Sequence, residues 1–316
     1  MIHTLEYATI LIDDISLIKD NFKITKEEKQ LVYYRKYRSL DFKYYKVYNV
    51  LHIKINLNRL LDKDVIVEGD YSKVLKEYKK QFYEFGFYWT NPTYQLNRVD
   101  YKSDIITENK DIYIKLLKKA SNNYRALKQY SKYKSSVYYN SKSMNINVYD
   151  KEQELIDTDS ELLVDINKYK NMLRFEVQLK RNKLYYLEKT WGQTRELVNY
   201  FHQKDHDYWI NYALKKIIYC GDYYNLYHSK KILQEHYSKS MVGKLTELQK
   251  DISINGISEA KKNYTSATFN NHIKKLESVV NPILIPKGEG ITHLKNIFNF
   301  TDENIYLLNE YCLRAS

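Results

Sequence analysis

Four segments of the chain alternate apolar and polar residues with a period of two, which is the pattern of a strand buried on one face. They are LHIKINL at 51–57, NRVDYKSDI at 97–105, MNINVYDK at 144–151 and LRFEVQLK at 173–180. The opening MIHTLEYATILIDDISL is apolar in patches that acidic residues interrupt, and it predicts a first strand rather than a signal peptide. The pattern therefore indicates a sheet with one apolar face.

Helical spacing of apolar residues appears between these strands, over 72–84 and over 108–130. The VYYNSKSMNINVYD segment predicts a hairpin with its turn at Ser141–Ser143. These elements predict an α+β fold, with a central antiparallel sheet, helices on its apolar face and candidate catalytic residues on its open face.

The strand pattern fades after about residue 190, and helices are predicted instead in TRELVNYFHQ, YWINYALKKIIY and HIKKLESVV. NPILIPKGEG predicts a loop before a final helical pair. We therefore predict a domain over 1–190 and a mainly helical region over 191–316, which serves DNA binding, self-association or partner recruitment.

The polar positions of the four strands converge on one face if the strands pair in a single sheet. Those positions hold His52, Asn56, Asp100, Asp104, Tyr149, Lys151, Glu176 and Lys180. Carboxylates are the oxygen ligands that Mg²⁺ and Mn²⁺ prefer, so a divalent-metal site is one interpretation. The other is the ordinary polar coat of a half-exposed antiparallel sheet.

A tyrosine beside a divalent metal has a well-known use, which is nucleophilic attack on a phosphodiester to give a covalent phosphotyrosine. The free phenol has a pKa of about 10 and is a poor nucleophile unless a metal neutralises the developing charge. Tyr149 is the candidate, but the chain has 34 tyrosines and tyrosine also suits strands for structural reasons.

Charge points to a polyanionic partner. The chain carries 51 Lys and Arg against 39 Asp and Glu, a net charge of +12. No acidic residue occurs between Ile112 and Lys142, where lysines interleave with tyrosines as in proteins that bind single-stranded DNA. A solvated lysine-rich helix face is the alternative. The predicted DNA contacts are Lys115, Lys118, Lys119, Arg125, Lys128, Lys132, Lys134, Lys142 and Lys180.

Several function classes are not indicated. The two cysteines, Cys220 and Cys312, form neither a metal-binding spacing nor a disulfide framework, which favours a reducing cytoplasm. No run approaches about 18 apolar residues, so no membrane span is predicted. The chain has no GxxxxGK[ST] loop for nucleotide hydrolysis.

Four motifs in order resemble the replication initiators of rolling-circle plasmids of the Rep_trans type and the related filamentous-phage gene II replication endonucleases. HIKINLNRL resembles a strand that ends in an Asn-x-Asn-Lys/Arg-Leu turn, and NRVDYKSD an Arg-hydrophobic-Asp strand. VYYNSKSMNINVYDKEQEL is similar to a hairpin that closes on Tyr-x-Lys-x-x-Glu, and LRFEVQLKR to an Arg-hydrophobic-Glu strand. The resemblance covers roughly residues 50–185.

The resemblance implies a DNA nicking and joining enzyme that starts rolling-circle replication and requires Mg²⁺ or Mn²⁺. It implies Tyr149 as the nucleophile, Asp100 and Glu176 as metal ligands, and Lys151 and Glu154 as phosphate contact and supporting acid. The implied partners are origin DNA, as a single-stranded or hairpin nick site with flanking duplex, a host helicase and a second copy of the chain.

One departure from the family pattern concerns the metal ligands. Lys54 stands where relatives often have an acidic residue, which points to Asp104 or His52 as a replacement ligand. Two alternatives to the enzyme remain, a non-catalytic sequence-specific DNA-binding protein (a repressor or conjugation accessory factor) and an RNA-binding structural protein.

Overall fold

The computed structural model describes residues 1–10, 22–27, 30–87, 94–120, 128–130, 134–158 and 165–298. Ten strands form one sheet in the order β2-β3-β4-β5-β1-β6-β10-β9-β8-β7. They are β1 (Ile2–Ile10), β2 (Lys23–Glu27), β3 (Gln30–Tyr37), β4 (Leu40–Tyr45), β5 (Val50–Asn56), β6 (Gln95–Ile106), β7 (Lys128–Tyr130), β8 (Ser136–Asn140), β9 (Met144–Asp150) and β10 (Met172–Lys180). Two short strands, β11 (Tyr223–Tyr224) and β12 (His293–Leu294), pair separately.

Helices accompany the sheet and dominate the last third of the described chain. They are α1 (Leu57–Leu61), α2 (Tyr71–Glu84), α3 (Lys110–Lys119), α4 (Lys151–Asp157), α5 (Arg181–Trp191), α6 (Gln203–Ile217), α7 (Leu226–His236), α8 (Lys239–Asn255), α9 (Ile257–Ala260) and α10 (Ser266–Glu277). The predicted α+β class, an antiparallel sheet with helices and a helical C-terminal region, is confirmed.

The strand pairings are antiparallel from β2 through β5 and β1 to β6, and again between β7 and β8. The four segments with period-two alternation correspond to β5, β6, β9 and β10, so the predicted strands are confirmed. The predicted hairpin is also confirmed, because β8 and β9 are sheet neighbours joined by Ser141–Ser143.

The chain divides into two compact units. Unit 1 comprises Met1–Lys102, Lys142–Asn145 and Glu176–Ile210, and unit 2 comprises Ser103–Ser141, Ile146–Phe175 and Asn211–Ser316. Strands β6, β9 and β10 therefore contribute residues to both units. The division at residue 190 and the separate role of 191–316 stay predictions.

The core of unit 1 forms where helix α2 packs on the apolar face of the sheet. The helix buries Tyr78 and Phe82, and Tyr78 stacks on Tyr7 of β1 with ring centroids 5.7 Å apart. Phe42 of β4 lies 6.4 Å from Phe82 between ring centroids. Gln81 on the same helix accepts a hydrogen bond of 2.7 Å from the Ser39 hydroxyl. The helical spacing over 72–84 therefore predicted both this helix and its buried face.

Unit 2 has its own core around α3 and the C-terminal helices. Tyr139 of β8 is buried, and its hydroxyl donates to the carbonyl of Leu117 at 2.6 Å. Gln249 of α8 is fully buried, and its amide links the hydroxyl of Ser229 on α7 to the carbonyl of Asn281. Satisfied buried polar groups of this kind fix the relative placement of the elements that carry them.

The helix predicted over 108–130 is wrong at its C-terminal end, because Lys128–Tyr130 forms strand β7. Helix α3 ends at Lys119. The backbone of Lys128–Tyr130 pairs with Tyr138–Asn140, a contact between distant residues that local helical spacing does not register. Leu127, which extended the helical pattern, lies outside the described residues.

The helix predicted in TRELVNYFHQ is also wrong, since a short 3₁₀ helix at Leu197–Asn199 is formed there. The carbonyls of Arg195 and Tyr200 accept hydrogen bonds from Leu96 and Tyr101 of β6, so strand β6 uses acceptors that a helix would need.

The other C-terminal predictions mostly hold. YWINYALKKI lies in α6 and HIKKLE in α10, and 281–290 has neither helix nor strand. In the predicted final helical pair, 293–294 is a strand, while 299–316 lies outside the described residues. No helix in the described part of the chain is long and apolar enough to cross a membrane.

Candidate active site

Two of the predicted metal ligands, Asp100 and Glu176, are brought together in unit 1. Asp100 lies on β6 and Glu176 on β10, which are neighbouring strands. The Asp100 side chain is fully buried and Glu176 is 6% exposed. Burial raises the pKa of Asp100 to about 7, and the adjacent negative charge and hydrogen bond of Glu176 act in the same direction. The two carboxyls therefore form a contact pair that is costly to ionise fully.

Arg98 supplies the nearest positive charge to this pair. Its guanidinium donates to both carboxylate oxygens of Asp100, at 2.7 and 2.5 Å. Burial is the largest single influence on the pKa of Arg98 and lowers it. The attraction and hydrogen bonds of Asp100 act in the opposite direction, and the pKa lies above its ordinary value. A buried bidentate pair of this type holds the carboxylate in one orientation.

His52, predicted as a possible metal ligand, is instead bonded to Glu6. The imidazole Nδ1 lies 2.8 Å from the Glu6 carboxylate, and Asn97 donates to the same oxygen at 3.1 Å. Burial acts to raise the pKa of Glu6, but these two hydrogen bonds outweigh it and the pKa lies below its ordinary value.

Sequence reasoning missed Glu6. It pairs in register with Lys54, the position where an acidic residue was expected, so the neighbouring strand supplies a carboxylate beside that position. The available signal was the single acidic residue of the first strand.

Asp104, the other proposed ligand, belongs to unit 2 and is paired with Arg174. The guanidinium donates to the two carboxylate oxygens at 2.6 and 2.8 Å. Within the predicted ligand set of Asp100, Glu176, Asp104 and His52, the last two therefore each bond to a partner outside the set. Within the described ranges, no three His, Cys, Asp or Glu side chains are close enough together to hold a metal ion.

The Asp100–Glu176 pair nevertheless suits Mg²⁺ or Mn²⁺. Mg²⁺ is commonly bound by one or two carboxylates, with water and substrate phosphate oxygens completing its coordination. The raised pKa of Asp100 marks a place where an added positive charge is favourable, because a cation can replace the proton. The donor set thus fits the metal that the family resemblance implies.

Tyr149 lies near the end of β9, in unit 2, and is 8% exposed. The face expected to be open is therefore closed at Tyr149, as it is at Asp100 and Glu176. Strand β9 ends at Asp150, whose carboxylate accepts from the Gln153 amide and so caps helix α4. The Lys110 ammonium forms an ion pair of 2.8 Å with the Asp150 carboxylate, which restrains the junction between β9 and α4.

Lys151 and Glu154, the other two residues of the Tyr-x-Lys-x-x-Glu motif, contact each other on the first turn of α4. The Lys151 ammonium donates to the Glu154 carboxylate and lies 5.9 Å from the ring centroid of Tyr169. Burial lowers the pKa of Lys151, and the positive charge of Arg174 adds to that effect. The motif therefore places a partly desolvated ammonium two residues after Tyr149.

The predicted DNA-binding lysines are less available than the sequence indicated. The Lys115 ammonium donates to the Glu289 carboxylate. The ammonium groups of Lys118 and Lys119 donate to the carbonyls of Lys134 and Ile254, respectively, and all of these contacts lie within unit 2. Lys134 and Lys142 are exposed, whereas burial lowers the pKa of the half-buried Lys180. Arg125, Lys132 and the Lys128 side chain lie outside the described residues.

The Asn-x-Asn motif after β5 has a structural role. Asn56 caps helix α1 by accepting from the Arg59 amide at 3.0 Å. Asn58 donates to the carbonyls of Lys63 and Asp64, which closes the following turn. These contacts account for both asparagines without a catalytic role.

Residues 62–204 match the model of a phage protein family, Phage_CRI, which is described as the N-terminal part of a replication-associated protein of the gene II type. Over these residues the chain is related to the gene II replication proteins. The match contains Asp100, Tyr149 and Glu176, and it confirms the resemblance predicted from the motifs. No curated protein matches the chain. The family supports a role in initiating rolling-circle DNA replication, and with it DNA nicking and origin DNA as a partner.

The Asp100 carboxyl gives a prediction about pH. Its pKa in the folded protein, about 7, lies above the ordinary value of 3.8, so the protonated form is the one that favours folding. The stability that protonation provides is full below about pH 4 and is lost as the pH rises through about 7. In metal-free buffer, the free energy of unfolding of Asp100→Asn relative to wild type should rise by about 2–3 kcal/mol between pH 5 and pH 8.

Urea titrations at pH 5, 6, 7 and 8 measure this difference, and Asp62→Asn, which changes an exposed carboxyl of the same unit, gives the background slope. A difference between Asp100→Asn and wild type that stays constant across this range would contradict the account.

Proposed function

We propose that the protein nicks and rejoins one DNA strand at an origin through a covalent link between Tyr149 and the 5′ phosphate. The Tyr149 oxygen attacks phosphorus, the bond from phosphorus to the 3′ oxygen breaks, and the phenol loses its proton. The departing 3′ oxygen takes up a proton and becomes the hydroxyl that primes synthesis. Attack by that hydroxyl in the reverse direction rejoins the strand. The observation that carries the proposal is the position of Tyr149 in the Tyr-x-Lys-x-x-Glu segment within the matched range.

Asp100 and Glu176 are proposed to hold Mg²⁺ or Mn²⁺. A metal held there would polarise the scissile phosphate and neutralise charge that develops on its oxygens. Arg98 orients Asp100 through its bidentate contact, which fixes the donor oxygens before DNA binds. Two carboxylates in contact, one with a raised pKa, support this assignment.

Lys151 is proposed as a phosphate contact, with Glu154 as the acid that supports it. Its ammonium is held by Glu154 and is partly desolvated, so its attraction for a phosphate is screened less than that of an exposed lysine. A host helicase, a homodimeric assembly and a cytoplasmic location are part of the same proposal.

The first test replaces Tyr149 by Phe, which removes the nucleophilic oxygen and keeps the ring. With a labelled single-stranded origin oligonucleotide and Mn²⁺, wild type should give a protein–DNA adduct that survives denaturation, whereas Tyr149→Phe should give none. Tyr138→Phe, on the adjacent strand, is the matched control and should retain the adduct. An adduct with Tyr149→Phe would rule out this nucleophile, and no adduct with any protein would favour the non-catalytic DNA-binding alternative.

The second test concerns the two carboxylates. Asp100→Ala and Glu176→Ala should each lower the cleavage rate by at least about 100-fold, because charge stabilisation in the transition state is lost. Binding of the same oligonucleotide should stay within about threefold of wild type, since these side chains are not proposed to bind DNA through phosphate neutralisation. Glu247→Ala, an exposed carboxyl on α8, is the control. Unchanged cleavage in either variant would remove that residue from the metal site.

Among the roles predicted for residues 191–316, duplex DNA binding is the one we propose. Helix α10 supports it, because Ala267, Asn270, Asn271 and Lys274 recur at i, i+3, i+4 and i+7 and are all exposed. Its opposite face packs in the core through Phe269, Ile273 and Leu276. No acidic residue occurs over 260–276. A basic helix with exposed amides and a buried back suits the major groove, where asparagine reads adenine.

A binding experiment with a pool of random-sequence 30-base-pair duplexes tests this role. Asn271→Ala should weaken binding to the duplexes that wild type selects by about 5- to 100-fold. Lys274→Ala should lower the salt dependence by about one unit in the slope. Lys231→Ala, an exposed lysine on α7, should have little effect. If both α10 variants bind as wild type does, this helix is not the recognition element.

A further inference from the structure

Four large aromatic side chains are exposed on helices α5 and α6 of unit 1. Their exposed fractions are 51% for Tyr185, 49% for Tyr186, 56% for Trp191 and 47% for Tyr208. Single exposed aromatics are common, but a cluster of this size is an unusual surface and indicates a binding function. The three α5 residues lie in the matched family range, yet none belongs to the motifs considered above.

Three of the exposed rings, those of Trp191, Tyr208 and Tyr186, are connected in a row through the buried ring of Trp209 and the Lys183 ammonium. The ring centroids of Trp191 and Tyr208 are 6.5 Å apart, and those of Tyr208 and Trp209 are 4.9 Å apart. The Lys183 ammonium lies 5.1 Å from the Trp209 ring and 4.9 Å from the Tyr186 ring. The row therefore runs from Trp191 through Trp209, which is buried, to Tyr186.

Tyr185 lies beside two further cations. Lys189 is 5.6 Å and the Arg195 guanidinium is 5.9 Å from its ring centroid. Over 180–195 the chain has five basic residues and one acidic residue, Glu188, which is paired with Arg195 at 3.0 Å. The surface is thus aromatic and strongly basic at the same time.

We propose that the α5–α6 surface, defined by Tyr185, Tyr186, Trp191 and Tyr208, binds single-stranded DNA by stacking its unpaired bases. The rings accept base faces, and the neighbouring lysines contact the backbone phosphates. Helix α5 begins directly after β10, the strand that carries Glu176, so the surface continues from the element that bears a metal ligand. The inference rests on the proposed nicking function for its biological meaning, but the binding can be measured without cleavage.

Single-stranded DNA fits this surface better than a duplex or a protein partner. Bases in a duplex are stacked on each other and do not present their faces to side chains. The core of a protein–protein interface is depleted of lysine, whereas here lysines lie within 6 Å of the ring centroids. The sequence pattern predicts single-strand binding over residues 112–142. Three lysines of that segment are instead bonded within unit 2, so they are less available to a phosphate backbone.

The experiment measures fluorescence anisotropy of a labelled 20-nucleotide oligo-dT in Mg²⁺-free buffer, with Tyr149→Phe as the parent protein so that no cleavage intervenes. Trp191→Ala and the double variant Tyr185→Ala/Tyr186→Ala should each weaken binding by about 5- to 100-fold, the range expected for lost base stacking. Tyr227→Ala removes a tyrosine that is 72% exposed on α7 and should leave the affinity unchanged. Binding to a 20-base-pair duplex should stay within about threefold for all variants.

Affinities for oligo-dT that remain within about twofold of the parent in both surface variants would overturn the proposal. It would also be overturned if the variants change the sedimentation coefficient of the free protein without changing the affinity, because the surface would then mediate self-association. Failure of the nicking proposal is distinguishable, since it would appear as an adduct with Tyr149→Phe or as no adduct in wild type, while these affinities would be unaffected.

Discussion

The contact between the Asp100 and Glu176 carboxyls, buried on neighbouring strands, is the interaction on which this account of the site depends. Burial and the neighbouring Glu176 raise the pKa of Asp100 to about 7, although the guanidinium of Arg98 acts in the opposite direction, so ionising both carboxyls is costly. Natural sequences tolerate such a cost mainly where function requires it. The pair lies on adjacent strands, so the oxygens proposed to bind a divalent cation are held in position before it binds.

Other charged pairs in the chain link strands and helices to one another and have no proposed role in binding a substrate. Arg174 binds Asp104 in a bidentate pair, and Lys110 links Asp150 to Glu152 around the start of helix α4. These contacts fix the strand end and the helix start on either side of Tyr149 and Lys151. Tyr149, the proposed nucleophile, therefore lies between elements that are themselves restrained.

Much of the fold could be predicted from the sequence, because alternation in β5, β6, β9 and β10 records which side chains enter the core. Local spacing did not predict strand β7, which pairs with residues 138–140 of strand β8, or the 3₁₀ turn at Leu197–Asn199. The β7 backbone pairs with β8, and the carbonyls of Arg195 and Tyr200 on either side of the turn accept hydrogen bonds from β6. A local pattern carries no information about such partners.

The candidate site could be predicted only in part. Motif resemblance identified Asp100 and Glu176, which are in contact, but it also suggested His52 and Asp104, which are bonded to Glu6 and Arg174. Choosing between such residues requires the strand register, which pairs Glu6 with Lys54 and Arg98. Alternation likewise predicted the polar face but not its burial, because burial depends on what covers the face.

The most direct measurement of the central claim is to identify the residue that becomes linked to DNA. Wild-type protein is incubated with a single-stranded origin oligonucleotide and Mn²⁺, digested with nuclease and trypsin, and examined by mass spectrometry. The tryptic peptide 143–151, SMNINVYDK, contains a single tyrosine, Tyr149. The account predicts a phosphonucleotide on that tyrosine. A phosphonucleotide on any other residue, or an unmodified peptide after DNA cleavage, would contradict it.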